Sequence, residues 1–385
     1  MFNFQFSNPV QVTFGVGSLD KIGEVVSRFG KKTLILSGQK HARANRAVDE
    51  IKKILTDNGI ESTSVQGIGP NPKLSQLVEI SRSVKSDRPS SIVGLGGGSV
   101  MDAAKLVSLL VTHEGDPWEY RATGKLSVAG IQNILLPVIT IPTTAGTGSE
   151  ASPAALITHN NLKEVYFSPF LFPKATIIDP SLAVTLPADL TAQIGIDAFV
   201  QSLEAYVSSA AQPFSDMFAI TSMKLVYENL PRLVKQLDNL ALRSQLALAG
   251  LLSLYAIGQA GVGAVHALSD PLSGRHDIGH GLALSILLPQ VMQANLDGNT
   301  QRFASLARVL CDVRETNDER NAKMSITLVE NFLHDIGLGH KRLSDFGIAE
   351  SEFPVFADEA ENPDMATNPR KLSKEERIKI YRQIL

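Results

Sequence analysis

Cysteine and clustered positive charge are what this 385-residue sequence most lacks, and each scarcity removes a class of protein. A single cysteine, Cys311, rules out an intrachain disulfide and a thiolate zinc site, and it fits a reducing compartment. The formal net charge is −3 and no run gathers Lys and Arg, so a nucleic-acid polyanion is not an expected partner. The first six residues, Met1 to Phe6, carry neither a basic stretch nor a following apolar run. Neither a signal peptide nor a spanning helix is expected there, no membrane partner is expected, and the cytoplasm is the expected address.

What is present is an ordinary globular composition, 44% hydrophobic and 19% charged, in a chain longer than single hydrophobic cores usually grow. From residue 33 to about 179, short apolar runs alternate with amphipathic stretches. That is the pattern of an α/β domain with a parallel sheet. Strands are expected at 33–36, 91–95, 138–141 and 175–178, with crossover helices at 42–57, 73–85 and 101–111. After Asp179-Pro180 the strand-like runs stop, and long Ala- and Leu-rich segments at 197–207, 213–230 and 240–259 predict an all-helical C-terminal domain. Pro180 and Pro187 punctuate the change. The expected division is an α/β dinucleotide-binding domain over residues 1–182 and a helical metal-binding and substrate domain over 183–385.

The segment from Ser91 to Lys105 reads as a buried strand, the glycine turn Gly96-Gly97-Gly98, and a helix opening at Ser99. Glycines allow close backbone approach, and the free N–H groups of the following helix offer partial positive charge to a pyrophosphate. A second polar loop, from Pro142 to Glu150, follows another apolar strand and so belongs at the same carboxyl edge of the sheet, where ligands bind. At the end of the first strand, Leu36-Ser37-Gly38-Gln39-Lys40-His41-Ala42-Arg43 contains no carboxylate to receive a ribose 2′-hydroxyl. Lys40, His41 and Arg43 suit a 2′-phosphate, which favours NADP over NAD.

Asp197 and Gln201 stand at i and i+4 on one helical face, each with an oxygen donor. Three of the eight histidines, His266, His276 and His280, fall within fifteen residues. Taken singly, Asp197 is a surface carboxylate and His266 a hydrogen-bonded core histidine. A carboxylate with two imidazoles, however, leaves open positions on a divalent ion, the arrangement suited to Lewis-acid work.

Together these segments resemble the iron-containing alcohol dehydrogenase family, which has a dehydroquinate-synthase-like two-domain fold. The resemblance runs through Phe14-Gly-Val-Gly-Ser18, Pro70-Asn-Pro72, the stretch from Gly96 to Lys105, the stretch from Pro142 to Glu150, Asp179-Pro180 and Asn368-Pro-Arg370. It implies cofactor contacts at Asn71, Gly97, Gly98, Ser99, Asp102, Thr143, Thr144, Thr147 and Lys163. Gly38, ending the first strand, joins them as a candidate. It also implies a divalent metal, Fe²⁺ in most members and Zn²⁺ in some, held at positions 197, 201, 266 and 280. Asp197, His266 and His280 match that pattern, whereas Gln201 stands where the family has histidine. Asp270 replaces a further histidine and Gly279 replaces a proline. The amide of Gln201 can ligate through oxygen but favours harder ions. Asp270, one turn after His266, is the candidate catalytic residue, as proton acceptor, partner of a ligand histidine or extra ligand, and Arg275 can offset its charge.

The expected function is hydride transfer between NAD(P) and a small primary alcohol or its aldehyde, at the interdomain cleft, in a homodimer or higher homo-oligomer. The stretch 10–14 is a candidate pairing edge. The run 167–172 is apolar enough to line a cleft for a short aliphatic chain, though such runs more often pack in a core. Two rivals are a dehydroquinate-synthase-like lyase, for which residues 195–281 hold few basic groups, and a dinucleotide-binding protein without turnover.

Overall fold

The computed structural model describes residues 4–38, 42–131, 134–144, 146–160, 162–311 and 315–385, without the side chains of 42–45 and 128–129. The chain divides into a unit of Ser7–Val184 and a unit of Thr185–Leu385, the segment ending at Phe6 belonging to the latter.

The first unit contains strands β1 (Gln11–Phe14), β2 (Lys32–Gly38), β3 (Glu61–Ile68), β4 (Ser91–Gly96), β5 (Val138–Pro142), β6 (Ala154–His159), β7 (Leu162–Phe167) and β8 (Ala175–Ile178). Six of them form a parallel sheet in the order β1-β8-β5-β4-β2-β3. Side chains alternate across it. Leu34, Leu36, Ile92 and Val138 face one core, with Ile35, Val93, Leu95, Ile139 and Ile141 in the other. Helices α1 (Ile22–Ser27) and α2 (Ala42–Asp57) cover the second face. Helices α3 (Leu74–Asp87) and α4 (Gly98–Thr112), the short turn α5 (Ser127–Gly130) and the β6–β7 hairpin lie on the side of the first. Burial on both faces is why the central strands read as unbroken apolar runs.

All four expected strands are present, and four further strands carry weaker signals. β3, a polar Glu-Ser-Thr-Ser run, is an edge strand paired only with β2, so no unbroken apolar run marks it. β6 and β7 form an antiparallel hairpin turning at Asn160, whose φ of 48° is left-handed, as tight hairpin turns require. The stretch 10–14 supplies β1, which pairs with β8 and ends the sheet.

Among its described residues the second unit contains helices only: α6 (Ala188–Val207), α7 (Pro213–Leu233), α8 (Leu240–Ala260), α9 (Ala264–His276), α10 (His280–Asn295), α11 (Thr300–Cys311), α12 (Asp318–Asp335), α13 (Phe353–Glu359) and α14 (Lys374–Gln383), with short 3-10 turns. Several starts are written locally. Asn239 caps α8 by accepting from the Leu242 N–H at 3.1 Å, and Ser373 with Glu376 forms a capping box on α14. Helix α8 is long and apolar enough to cross a membrane by composition, but it packs against α6 and α7 as a core helix. Phe4 and Phe6 lie on Phe214, and Phe6 also meets Phe218 and Tyr255.

Helix α10 approaches α6 through Gly281. A methyl group there would stand 2.0 Å from the Gln193 carbonyl oxygen, a backbone atom that cannot swing aside. Gly281→Ala should therefore destabilise the protein by about 1–3 kcal/mol, the usual cost of overpacking. A lower urea midpoint with unchanged slope would show it, and an unchanged midpoint would refute this packing.

Candidate active-site elements

In a parallel sheet the carboxyl ends of β2, β4 and β5 share one edge, at Gly38, Gly96 and Pro142. Gly96 is in register with Pro142, and the Thr143 N–H donates to the Gly96 carbonyl at 3.0 Å, so the glycine and threonine loops are stitched together. Helix α4 begins after Gly97 with no side-chain cap, which leaves its first N–H groups available. A Cβ on Gly97 would meet Thr144 Oγ1 at 3.4 Å and one on Gly98 would meet Thr147 at 3.3 Å, so side chains at either position would crowd the space between the loops. Thr144 Oγ1 is buried without a hydrogen-bond partner, as is Glu150 Oε2 at the end of the same loop. These features fit a phosphate-bearing ligand.

Other candidates on this unit divide by what they touch. Asp102 is buried with both carboxylate oxygens engaged: Oδ1 accepts from Ser149 at 2.6 Å and Oδ2 from the Leu156 N–H at 3.1 Å. The fully buried Lys105 donates to Ser149 at 2.8 Å and to the Ala154 carbonyl at 2.7 Å. Asp102 thus ties α4 to the hairpin. Asn71 is exposed with φ 52°, and next to it the Pro72 carbonyl accepts from the Thr158 N–H of β6. Lys163 is exposed on β7, opposite Thr158. Lys40 and His41 lie outside the described residues, as does the side chain of Arg43. In the run 167–172, Leu171 is buried, while Phe170 and Phe172 line a cavity of about 250 Å³ with Ile134, Leu136 and Lys174.

The second unit brings Asp197 from α6, His266 from α9 and His280 from the first turn of α10 together, with one donor atom of each within 4.8 Å of the others. His266 Nε2 is 3.6 Å and His280 Nε2 3.9 Å from Asp197 Oδ1. Gln201, one turn along α6, donates from Nε2 to the same oxygen at 3.0 Å, and its Oε1 accepts from Ser253 Oγ at 2.8 Å. Two imidazole nitrogens and a carboxylate converging at this spacing form a donor set that suits a divalent ion.

The sequence reading missed Glu204. It stands seven residues after Asp197 and three after Gln201, so the stripe 197, 201, 204 on one helical face was the available signal. Its Oε2 lies 2.5 Å from His266 Nδ1 and its Oε1 accepts from the Val265 N–H at 2.6 Å. Burial disfavours charge on the His266 ring. The carboxylates of Glu204 and Asp197 on its two sides outweigh that, holding its pKa well above the ordinary histidine value. The motif Asn368-Pro-Arg370 is support: Asn368 Oδ1 accepts from the Ala264 N–H at the start of α9, and Arg370 Nε donates to the Ala294 carbonyl of α10.

Asp270 is exposed on α9 and accepts from Asn362 Nδ2 at 3.1 Å; it is not a member of the three-residue cluster. The guanidinium of Arg275 pairs with Glu359.

A doubly wound sheet with paired glycine and threonine loops, in a chain that also holds an Asp-His-His cluster on helices, defines the class of nicotinamide-type oxidoreductases. The iron-containing alcohol dehydrogenase family model matches residues 9–180, and the model of that family's C-terminal domain matches residues 191–385. The chain is 33% identical to a 1,3-propanediol dehydrogenase of Klebsiella pneumoniae, over 99% of this chain and 98% of that protein. It is 29% identical to an NAD-dependent methanol dehydrogenase of Bacillus methanolicus, over the whole of both. A crystal structure of a 1,3-propanediol oxidoreductase superposes with a TM-score of 0.94 at 32% identity, covering all of both chains. The chain belongs to the iron-containing alcohol dehydrogenase family, and it is an enzyme that interconverts alcohols and aldehydes.

In the metal-free protein His266 should titrate above the ordinary histidine range, and Glu204→Gln, which removes one of the two flanking negative charges, should bring that midpoint down. Side-chain NMR of the histidines would read both. An unshifted His266 in the wild-type protein would remove Glu204 as the group that sets its protonation.

Proposed function

We propose that the chain is a divalent-metal-dependent, NADP-preferring oxidoreductase acting on a small primary alcohol and its aldehyde. The observation that carries this reading is the cluster of Asp197, His266 and His280 with the Glu204 carboxylate behind it. A divalent ion there, Fe²⁺ foremost and Zn²⁺ as substitute, supplies Lewis acidity toward the substrate oxygen, while a nicotinamide dinucleotide supplies or accepts the hydride. Asp197 and the two imidazoles hold the ion. Glu204 keeps the His266 proton on Nδ1, which leaves the Nε2 lone pair free to bind.

On the first unit, the glycines at 97 and 98 let the dinucleotide backbone come close. The α4 amides at Gly98 and Ser99 and the hydroxyls of Thr143, Thr144 and Thr147 receive its phosphates. Gly38, Asn71, Asp102 and Lys163 complete the proposed cofactor surface, with Asp102 acting by anchoring α4. The absence of a carboxylate between residues 37 and 43 favours the 2′-phosphorylated cofactor. Asp270 accepts the alcohol proton during oxidation and returns it during reduction. The enzyme is assigned to the cytoplasm and to a homo-oligomer in which β1 is a candidate pairing edge.

Stripping the protein with a chelator and reloading it separately with Fe²⁺, Zn²⁺, Mn²⁺ or Mg²⁺ tests this reading, with NADPH and NADH oxidation followed over a panel of short aldehydes. Turnover should vanish on stripping and return with Fe²⁺, with kcat/KM for NADPH about tenfold that for NADH, a difference of about 1.4 kcal/mol. His280→Ala should lower kcat/KM by more than the roughly 10–100-fold typical of losing an outer-shell partner. Undiminished activity in the metal-stripped protein would overturn the reading, and a preference for NADH would reverse the cofactor assignment.

A further inference from the structure

Gln201 stands where the family resemblance leads one to expect an imidazole ligand, and its hydrogen bonds indicate another task. The side chain is only 5% exposed, and Ser253, against its carbonyl, is fully buried. Its Nε2 donates to Asp197 Oδ1 at 3.0 Å and its Oε1 accepts from Ser253 Oγ at 2.8 Å. Reversing the amide would set two acceptor oxygens, one on a carboxylate, 3.0 Å apart with no proton between them, and would forfeit a charge-assisted hydrogen bond. The amide orientation is therefore set by Asp197, while the Ser253 hydroxyl, which also lies 2.9 Å from the Gly250 carbonyl, can serve Oε1 from the other side.

We propose that Gln201 is not a metal ligand but a positioning residue: its amide, seated against Ser253, donates to Asp197, so that the protein gives the ion three ligands, Asp197, His266 and His280. This inference rests on the metal-dependent reading of the same site. It has two chemical consequences. A donor on the Asp197 carboxylate draws electron density from that ligand and leaves the ion a stronger Lewis acid. Removing the fourth protein ligand leaves one more exchangeable coordination position than an Asp-His-His-His site has.

The test is a count of exchangeable waters on bound Mn²⁺, read from broadening of its electron paramagnetic resonance signal in ¹⁷O-enriched water. Wild-type protein and Gln201→Leu should hold the same number, while Gln201→His, which introduces a ligand, should hold one fewer. If Gln201 coordinated, the Leu variant would gain a water and the His variant would match wild type, and either result overturns the inference. Gln201→Met, which keeps the chain length, gives the same reading should Leu disturb α6. Mn²⁺ affinity should fall about 10–100-fold in the Leu variant, as for other outer-shell partners. A wild-type spectrum identical to that of the free aquo ion would refute the metal-dependent reading itself, and this inference with it, whereas a ligating Gln201 would refute this inference alone.

Discussion

The buried carboxylate of Glu204 holds the second unit's chemistry in place. With one oxygen on the His266 ring and the other on the Val265 N–H, it joins α6 to the first turn of α9. A helix start leaves its first N–H groups unpaired, and here a carboxylate from another helix and the amide of Asn368 occupy two of them. The same contact fixes which nitrogen of His266 is left to face Asp197. Remove it and α9 loses both the satisfaction of its N-terminus and the orientation of the imidazole that the proposed ion needs. Packing and chemistry depend on one side chain.

In the first unit the corresponding constraint is the parallel sheet, because it gathers every strand's carboxyl end on one edge whatever the loops contain. What the loops contain then divides the family-like motifs into two kinds. Asp179-Pro180 is structural: Asp179 accepts from the Leu19 and Ser181 N–H groups and so fastens the end of β8 to the turn after β1. The Gly-x-Gly of residues 15–17 adopts φ values of 138° and 79°, which a side chain would strain, and its Gly15 N–H bonds the Ile178 carbonyl. Gly97, Gly98 and Thr144 are the other kind. Their local geometry is not consumed by holding the fold, and Thr144 retains an unpaired buried hydroxyl. Glu150, just beyond, is pushed up to about 7 by burial, partly offset by its own backbone and by Lys105, so the ground beneath the loop is low in dielectric.

How far the sequence could be read follows from the same physics. The central strands announced themselves because both their faces are buried, and α6 to α8 because their apolar content is high. β3 was silent because it is a polar edge strand, and the hairpin at Asn160 because the half-buried Glu164 shares the inward face of β7 with Tyr166 and interrupts its alternation. Asp197, His266 and His280 were legible as a set, since histidine density and helical spacing survive in one dimension. Glu204 was not, because a buried glutamate and a surface one look alike until the partner helix is in place. Nor could sequence reveal that Arg275 is drawn to Glu359, since the two are distant along the chain. Gln201 was visible as a departure, but its meaning lay in Ser253, fifty-two residues away.

Charge balance around the cluster weighs in the same direction as the donor geometry. Asp197 and Glu204 are both buried, and Asp364, nearby, has its pKa raised by burial although the His266 charge opposes that rise. Buried carboxylates are tolerated only when paired, and two guanidinium groups of the same unit are committed elsewhere, Arg275 to Glu359 and Arg377 to Glu361. A protonated His266 supplies one positive charge against the two carboxylates it touches. A divalent ion that displaces its Nε2 proton supplies two, and it leaves the Nδ1 hydrogen bond to Glu204 intact. The proposed ion is thereby the more complete counter-charge, and its binding must compete with a proton that the surrounding carboxylates hold tightly. Metal affinity in such a site falls as pH falls, because the ring proton must leave before Nε2 can bind the ion.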